Sequence, residues 1–160
     1  MANARIGSNP SHGYQVAQTI DDTLQLGLGD SGKLFFLKSH NDYHYNVNLP
    51  KLSAEIAGWH CKFIANEAIS NEISILGWGL PVTGGNSSTT PTADHDQICK
   101  LGFITQVGDG DTTDQLDTDG LKWVSGATLG DTIEFFTDGI TWFAYIHAAE
   151  EDHITNIDLS

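Results

Sequence analysis

From residue 21 onward, apolar and polar positions alternate with a period of two in short segments that recur every 10 to 15 residues. Successive side chains of a β-strand point to opposite faces, so this alternation predicts half-buried strands. Leu24, Leu26 and Leu28 alternate with Gln25 and Gly27. Between Asp42 and Leu49 the separation is cleaner, with Tyr43, Tyr45, Val47 and Leu49 on one face and Asp42, His44, Asn46 and Asn48 on the other. Trp59, Cys61 and Phe63 alternate with His60 and Lys62, and Ile73 and Ile75 with Glu72 and Ser74; Leu101 and Phe103 continue the pattern. No stretch keeps a helical period over the ~12 residues that a stable helix needs, although Leu52 to Ala57 suits one turn and Lys62 to Ile69 fits either state.

The strongest strand signal is Asp131 to Thr137, then Asp138-Gly139, then Ile140 to His147. Asp-Gly between two such runs predicts a two-residue hairpin turn, because type I′ geometry needs positive φ at both central positions. In the second strand Ile140, Trp142, Ala144 and Ile146 fall on one face and Thr141, Phe143, Tyr145 and His147 on the other. A strand with bulk on both sides has to be covered twice, once by the opposing sheet and once by something else. The expected second cover is another subunit, which makes Phe143, Tyr145 and His147 the candidate subunit interface.

These segments predict an all-β chain folded as a two-sheet β-sandwich, with a jelly roll as one topology that fits the same local pattern. Residues 1–20 are polar, contain Gly7, Pro10 and Gly13, and lack a sustained period, so they read as an extended N-terminal arm. Residues 21–160 read as a single domain, in keeping with ~150 residues per domain. Two loops stand out: Pro81 to Asp96, rich in Gly, Ser, Thr and Pro, and the aspartate-rich Gly108 to Gly120.

Charge narrows the range of partners. Lys and Arg number 7 and Asp and Glu 21, giving a formal net charge of -14. Nucleic acid binding needs clustered Lys and Arg to neutralise phosphates, but Arg5 is the sole arginine and the lysines are scattered, so nucleic acid is excluded as a partner. An anionic membrane surface is excluded on the same ground. The first residues show neither an apolar leader core nor a basic run, and no apolar stretch approaches the ~18 residues of a membrane span. Synthesis in a cytoplasm is therefore expected. Cys61 and Cys99 are too few for a disulfide framework and lack metal spacing, so two buried thiols are favoured over a bridge.

The richest candidate metal site is the run Asp109, Asp111, Asp114, Asp117 and Asp119, whose oxygens on a glycine-punctuated loop suit Ca2+. The EF-hand pattern fails, since Asp114 stands where a glycine is needed and no glutamate closes the loop. A solvated acidic loop is the simpler reading, and otherwise no cofactor is expected. His40 and His44 sit roughly 13 Å apart on a strand, too far to share an ion, and the Asp94-His95-Asp96 cluster has no ligand partner elsewhere that the sequence identifies, so an exposed polar loop is the simpler reading. No G-x-S-x-G, phosphate-cradling glycine motif or H-E-x-x-H occurs, so acyl and phosphoryl transfer lose support. A carboxylate pair for glycoside hydrolysis carries little weight in so acidic a chain. Among the tryptophans, Trp59, Trp123 and Trp142 lie in alternating segments and read as core, whereas Trp78, between Gly77 and Gly79, is the candidate for stacking on a glycan.

The order Val47-Asn-Leu49-Pro50, Ala57-Gly58-Trp59-x-x-x-Phe63, Asn71-x-Ile73-x-Ile75 and Gly130-Asp131-x-Ile133-x-Phe135-x-x-Asp138-Gly139-x-x-Trp142 resembles a β-rich module of tailed-phage virion proteins, found in head decoration or cement proteins and in head or tail fibres. The resemblance spans residues 47 to 142, and its motifs specify strands and turns. The long aspartate loop before the last hairpin departs from the pattern. The resemblance implies a non-enzymatic structural protein on the outer capsid surface of a virion, a homotrimer bound to the major capsid protein. On that reading the arm, with Arg5, Ile6, Tyr14 and Val16, drapes over a shell protein or an adjacent copy. The alternative it implies is a fibre, receptor-binding or carbohydrate-binding domain that exposes Trp78.

Overall fold

The computed structural model describes residues 16–79, 98–105, 118–150 and 152–157. The strands in chain order are β1 Val16–Ile20, β2 Leu24–Gln25, β3 Lys33–Leu37, β4 Tyr45–Asn48, β5 His60–Ala65, β6 Ile73–Leu76, β7 Ile98–Thr105, β8 Gly120–Trp123, β9 Thr132–Thr137, β10 Trp142–Ala148 and β11 Ile154–Ile157. Two 3-10 turns, Leu28–Asp30 and Ala54–Ile56, are the helical elements among the described residues. A six-stranded sheet has the order β1-β3-β5-β9-β10-β7, and a five-stranded sheet the order β11-β8-β6-β4-β2. The chain is an all-β two-sheet sandwich. No helix of the described residues is long and apolar enough to cross a membrane.

Through the first eight strands the chain alternates between the sheets, odd strands in one and even strands in the other. In consequence β1, β3 and β5 pair in parallel, as do β2, β4 and β6. Lys33 lies opposite Cys61 and Tyr45 opposite Ile73, 28 positions on in both sheets, so this part of the molecule winds as a flattened coil. A jelly roll is built from antiparallel Greek keys, and these parallel ladders are not of that kind.

The core lies between the sheets. Phe35, Phe63, Phe135, Trp142 and Ile146 come from the six-stranded sheet, and Tyr45, Val47, Ile75, Leu121 and Trp123 from the five-stranded one, all buried. Rings mesh edge-to-face, with Phe63 5.9 Å from Phe135 and 6.5 Å from Trp123 across the interlayer, and Trp59 5.2 Å from Trp142. Such pairs contribute ~0.5–1.5 kcal/mol beyond the area they bury.

Four expectations change. Residues 16–20, read as the end of an arm, form the edge strand β1, in which Ala17, Gln18 and Thr19 are all exposed. Three successive exposed positions leave no alternation to detect. The first strand stops at Gln25, because the Asp30 carboxylate accepts the Gly27 N–H at 2.7 Å and turns Leu28–Asp30 into a 3-10 helix. The segment from Asp42 becomes extended only at Tyr45, since the ring nitrogens of His40 and His44 accept the N–H groups of Asp42 and Glu72. The final hairpin has a four-residue connection, with Trp142 opposite Thr137. Asp138 Oδ1 accepts the N–H groups of Ile140 and Thr141, both at 2.8 Å, and Thr137 Oγ1 accepts that of Gly139 at 2.9 Å. Ile140, expected inside, is lifted into the turn and is 80% exposed.

Candidate functional site

The two sheets differ on their outer faces. On the five-stranded sheet, Asn46, Ser74, Lys122 and Thr155 form one outward row, polar throughout. On the six-stranded sheet the outward rows run Thr19, Phe36, Ile64, Thr132, His147, then Ala17, Leu34, Lys62, Glu134, Tyr145, then His60, Phe136, Phe143. Six of these positions are Leu, Ile or aromatic. The cause is visible in the strands: β3 is the near-continuous apolar run Leu34 to Leu37, and β9 and β10 carry Phe136, Phe143 and Tyr145 opposite the core-facing Phe135, Ala144 and Ile146.

Phe136 and Phe143 are cross-strand neighbours stacked at a centroid distance of 5.4 Å with an interplanar angle of 20°. Phe136 is 38% exposed and Tyr145 42%, while Phe143, Leu34, Phe36 and Ile64 are half-buried. His147 is exposed at the end of the same face. Thus Phe143, Tyr145 and His147 do share one outward face, with Phe136, Leu34, Phe36 and Ile64 beside them. Sequence reasoning passed over these four, although Leu34 to Leu37 is apolar at both parities, the same sign that marked β10.

Trp78 follows β6 and is half-buried. It lines an open cleft of about 410 Å³ with Gln25, Leu26, Gly27, Leu28, Pro50, Lys51, Ser53, Glu55 and Ile56. The Lys51 ammonium sits over its indole, 4.1 Å from the ring centroid. Trp59, Trp123 and Trp142 are buried in the core.

Several of the other candidate residues fall outside the described part of the chain. Asp109, Asp111, Asp114 and Asp117 lie outside the described residues, as do Arg5, Ile6, Tyr14 and the Asp94-His95-Asp96 cluster. Asp119 is buried where β8 begins; its N–H donates to the Ile157 carbonyl at 2.9 Å and its carbonyl accepts the Gly77 N–H at 3.1 Å. Val16 begins β1 opposite Lys33. His40 stacks on Tyr43 at 3.6 Å, and Tyr43 donates its hydroxyl to Asp22 at 3.0 Å. The Thr23 N–H and that hydroxyl hold the Asp22 carboxyl below its ordinary range. Among the described residues, no group of three His, Cys, Asp or Glu is placed to hold a metal ion. Cys61 is a free, buried thiol in β5, and β9 and β10 lie between it and β7, which carries Cys99.

No protein-family model, curated protein or solved structure matches the chain.

Proposed function

We propose that this protein is a non-enzymatic structural part of a virion, a decoration or cement protein that assembles as a homotrimer and clamps neighbouring subunits of the major capsid protein from the outer surface. The observation that carries the reading is the apolar outer face of the six-stranded sheet, centred on Phe136, Phe143 and Tyr145. Apolar side chains left facing water forgo roughly 25 cal/mol for each Å² that a partner would cover. Aromatic residues are the ones enriched at the centres of protein interfaces. On the other sheet the outward row Asn46, Ser74, Lys122 and Thr155 is polar, and of the next outward row Leu76 is buried and Ile157 half-buried. The strand and turn motifs between residues 47 and 142 add the virion context.

Function on this reading is mechanical. Three weak contacts on one rigid trimer act at high effective concentration, so overall binding exceeds each by ~10² or more. An interface of ~800 Å² per partner is of ordinary size for a stable complex. Residues ahead of β1, with Arg5, Ile6 and Tyr14, supply the reach toward the shell.

Sedimentation of the purified chain should give three times the 17.3 kDa protomer mass. Tyr145→Ser combined with Phe143→Ser should shift it to monomer while leaving far-UV dichroism intact. Imaging of particles mixed with the wild-type protein should show it at regular lattice positions. A wild-type monomer at high micromolar concentration, or bare particles, would reject the proposal.

A further inference from the structure

We infer that the cleft bounded by β2, the two 3-10 turns and Trp78 is a binding site for a neutral pyranose, on the opposite sheet from the proposed subunit interface. A pyranose has a patch of C–H groups on its ring face and hydroxyls around its edge, so a site for it needs an apolar platform and polar groups at the rim. The cleft supplies both. Its buried floor is Leu26, Pro50 and Ile56, and Trp78 and the 57% exposed Leu28 form apolar walls. Gln25, Lys51, Ser53 and Glu55 stand at the rim, all exposed. At about 410 Å³ it falls within the ~300–1,000 Å³ range of small-ligand clefts.

The side of the cleft formed by β2 and Leu28 is held in place before any ligand arrives. Gln25 Nε2 lies 3.0, 3.3 and 3.1 Å from the carbonyls of Leu26, Asn48 and Leu49, tying β2 to β4 and its exit. The Trp59 indole N–H donates to the Gly27 carbonyl at 3.1 Å, and Asp30 caps the turn that carries Leu28. The Lys51 ammonium covers the half-buried Trp78 ring at 4.1 Å, so a ligand reaches the indole by displacing it. A sugar ring takes the place of the ammonium on the indole, and the lysine turns to a hydroxyl, for which an ammonium is a strong donor and Glu55 an acceptor. Charge selects among glycans: Lys51 and Glu55 offset each other at the rim, and the net charge of -14 disfavours uronic, sialylated and phosphorylated chains.

The test is an array of neutral and acidic glycans probed with the full-length protein, followed by calorimetry with the best neutral oligosaccharide. Neutral glycans should be retained, with affinity little changed by salt. Trp78→Ala should weaken binding at least tenfold without moving the thermal transition, and Trp78→Phe should keep a measurable part. Leu28→Asp, at an exposed position, should weaken it comparably and covers the case in which Trp78→Ala does not fold. Retention of no neutral glycan, equal affinity in the folded variants, or binding confined to acidic glycans or basic peptides would overturn the inference. Each readout is taken on soluble protein without capsids, so it stands or falls apart from the proposed virion role.

Discussion

Gly120 shows how little room some positions leave. A Cβ placed there would lie 2.6 Å from Leu76 Cδ2 and 2.7 Å from the Ile75 carbonyl oxygen. The leucine methyl can rotate away, but the carbonyl belongs to the β6–β8 ladder and cannot move without opening it. Gly120→Ala should therefore lower stability by about 1–3 kcal/mol, the usual penalty of overpacking, read as a lower urea midpoint at unchanged slope. Gly139 is constrained twice, by φ of +93° and by the Ser53 carbonyl 2.7 Å from its Cβ direction. In the same turn, the Ile140 and Thr141 N–H groups hold the Asp138 carboxyl below its ordinary range. Asp-Gly was legible as a turn from the residue pair alone. Its length was not, because the two side-chain brackets at Thr137 and Asp138 that add Ile140 and Thr141 act through geometry, not through composition.

At the level of elements, alternation located β5, β6 and β10 closely, since each has one face in the core and its neighbours on both sides. It failed where side chains compete for backbone groups, as at Asp30, His40 and His44, and at β1, whose Ala17, Gln18 and Thr19 are exposed alike. The 28-residue winding was also hidden, because of the paired positions in Leu34-Phe35-Phe36-Leu37 and Lys62-Phe63-Ile64-Ala65 only Phe35 and Phe63 carry the same residue. Asp131 joins elements in a way no pattern announces. Its buried carboxylate accepts the N–H groups of Thr128 at 2.9 Å and Ala149 at 2.8 Å and the His153 ring nitrogen at 2.8 Å, linking the entrance of β9, the end of β10 and the approach to β11. Asp131→Ala strips these donors of their acceptor and should cost about 2–3 kcal/mol. In a chain of this size that lowers the melting temperature by roughly 4–12 °C. An unchanged transition would show that the three segments are held by packing alone.

Over the whole molecule, two buried protons set the response to alkali. Burial, with the charge of Asp21 behind it, holds the Tyr45 phenol well above its ordinary value of 10.0, and its oxygen faces the carbonyls of Ile20 and Lys38 at 3.1 and 2.8 Å. Burial, then Asp30 and Glu134, pushes the Cys61 thiol up from 9.0. Above these ordinary values the unfolded chain releases both protons while the folded chain keeps them. Stability is then fully present below pH 9 and declines as pH rises, by at most ~1.4 kcal/mol per pH unit for each group. Urea unfolding between pH 8 and 11 should show this decline, and Tyr45→Phe should flatten it above pH 10; a level profile in the wild type would contradict the burial argument.

The coil of alternating strands also dictates when the molecule takes shape. Neighbouring strands in its parallel ladders are never neighbours in sequence, so each pairing waits for the chain to travel to the other layer and back. Among the described strands only β9 and β10 meet through a short turn, and β9 is the strand against which β5, with β3 and β1 beyond it, finds its place. Non-local closure of this kind is slow. On a ribosome β5 has to wait for β9 before its second edge is paired, so the six-stranded sheet is completed only once the β9–β10 hairpin has been made.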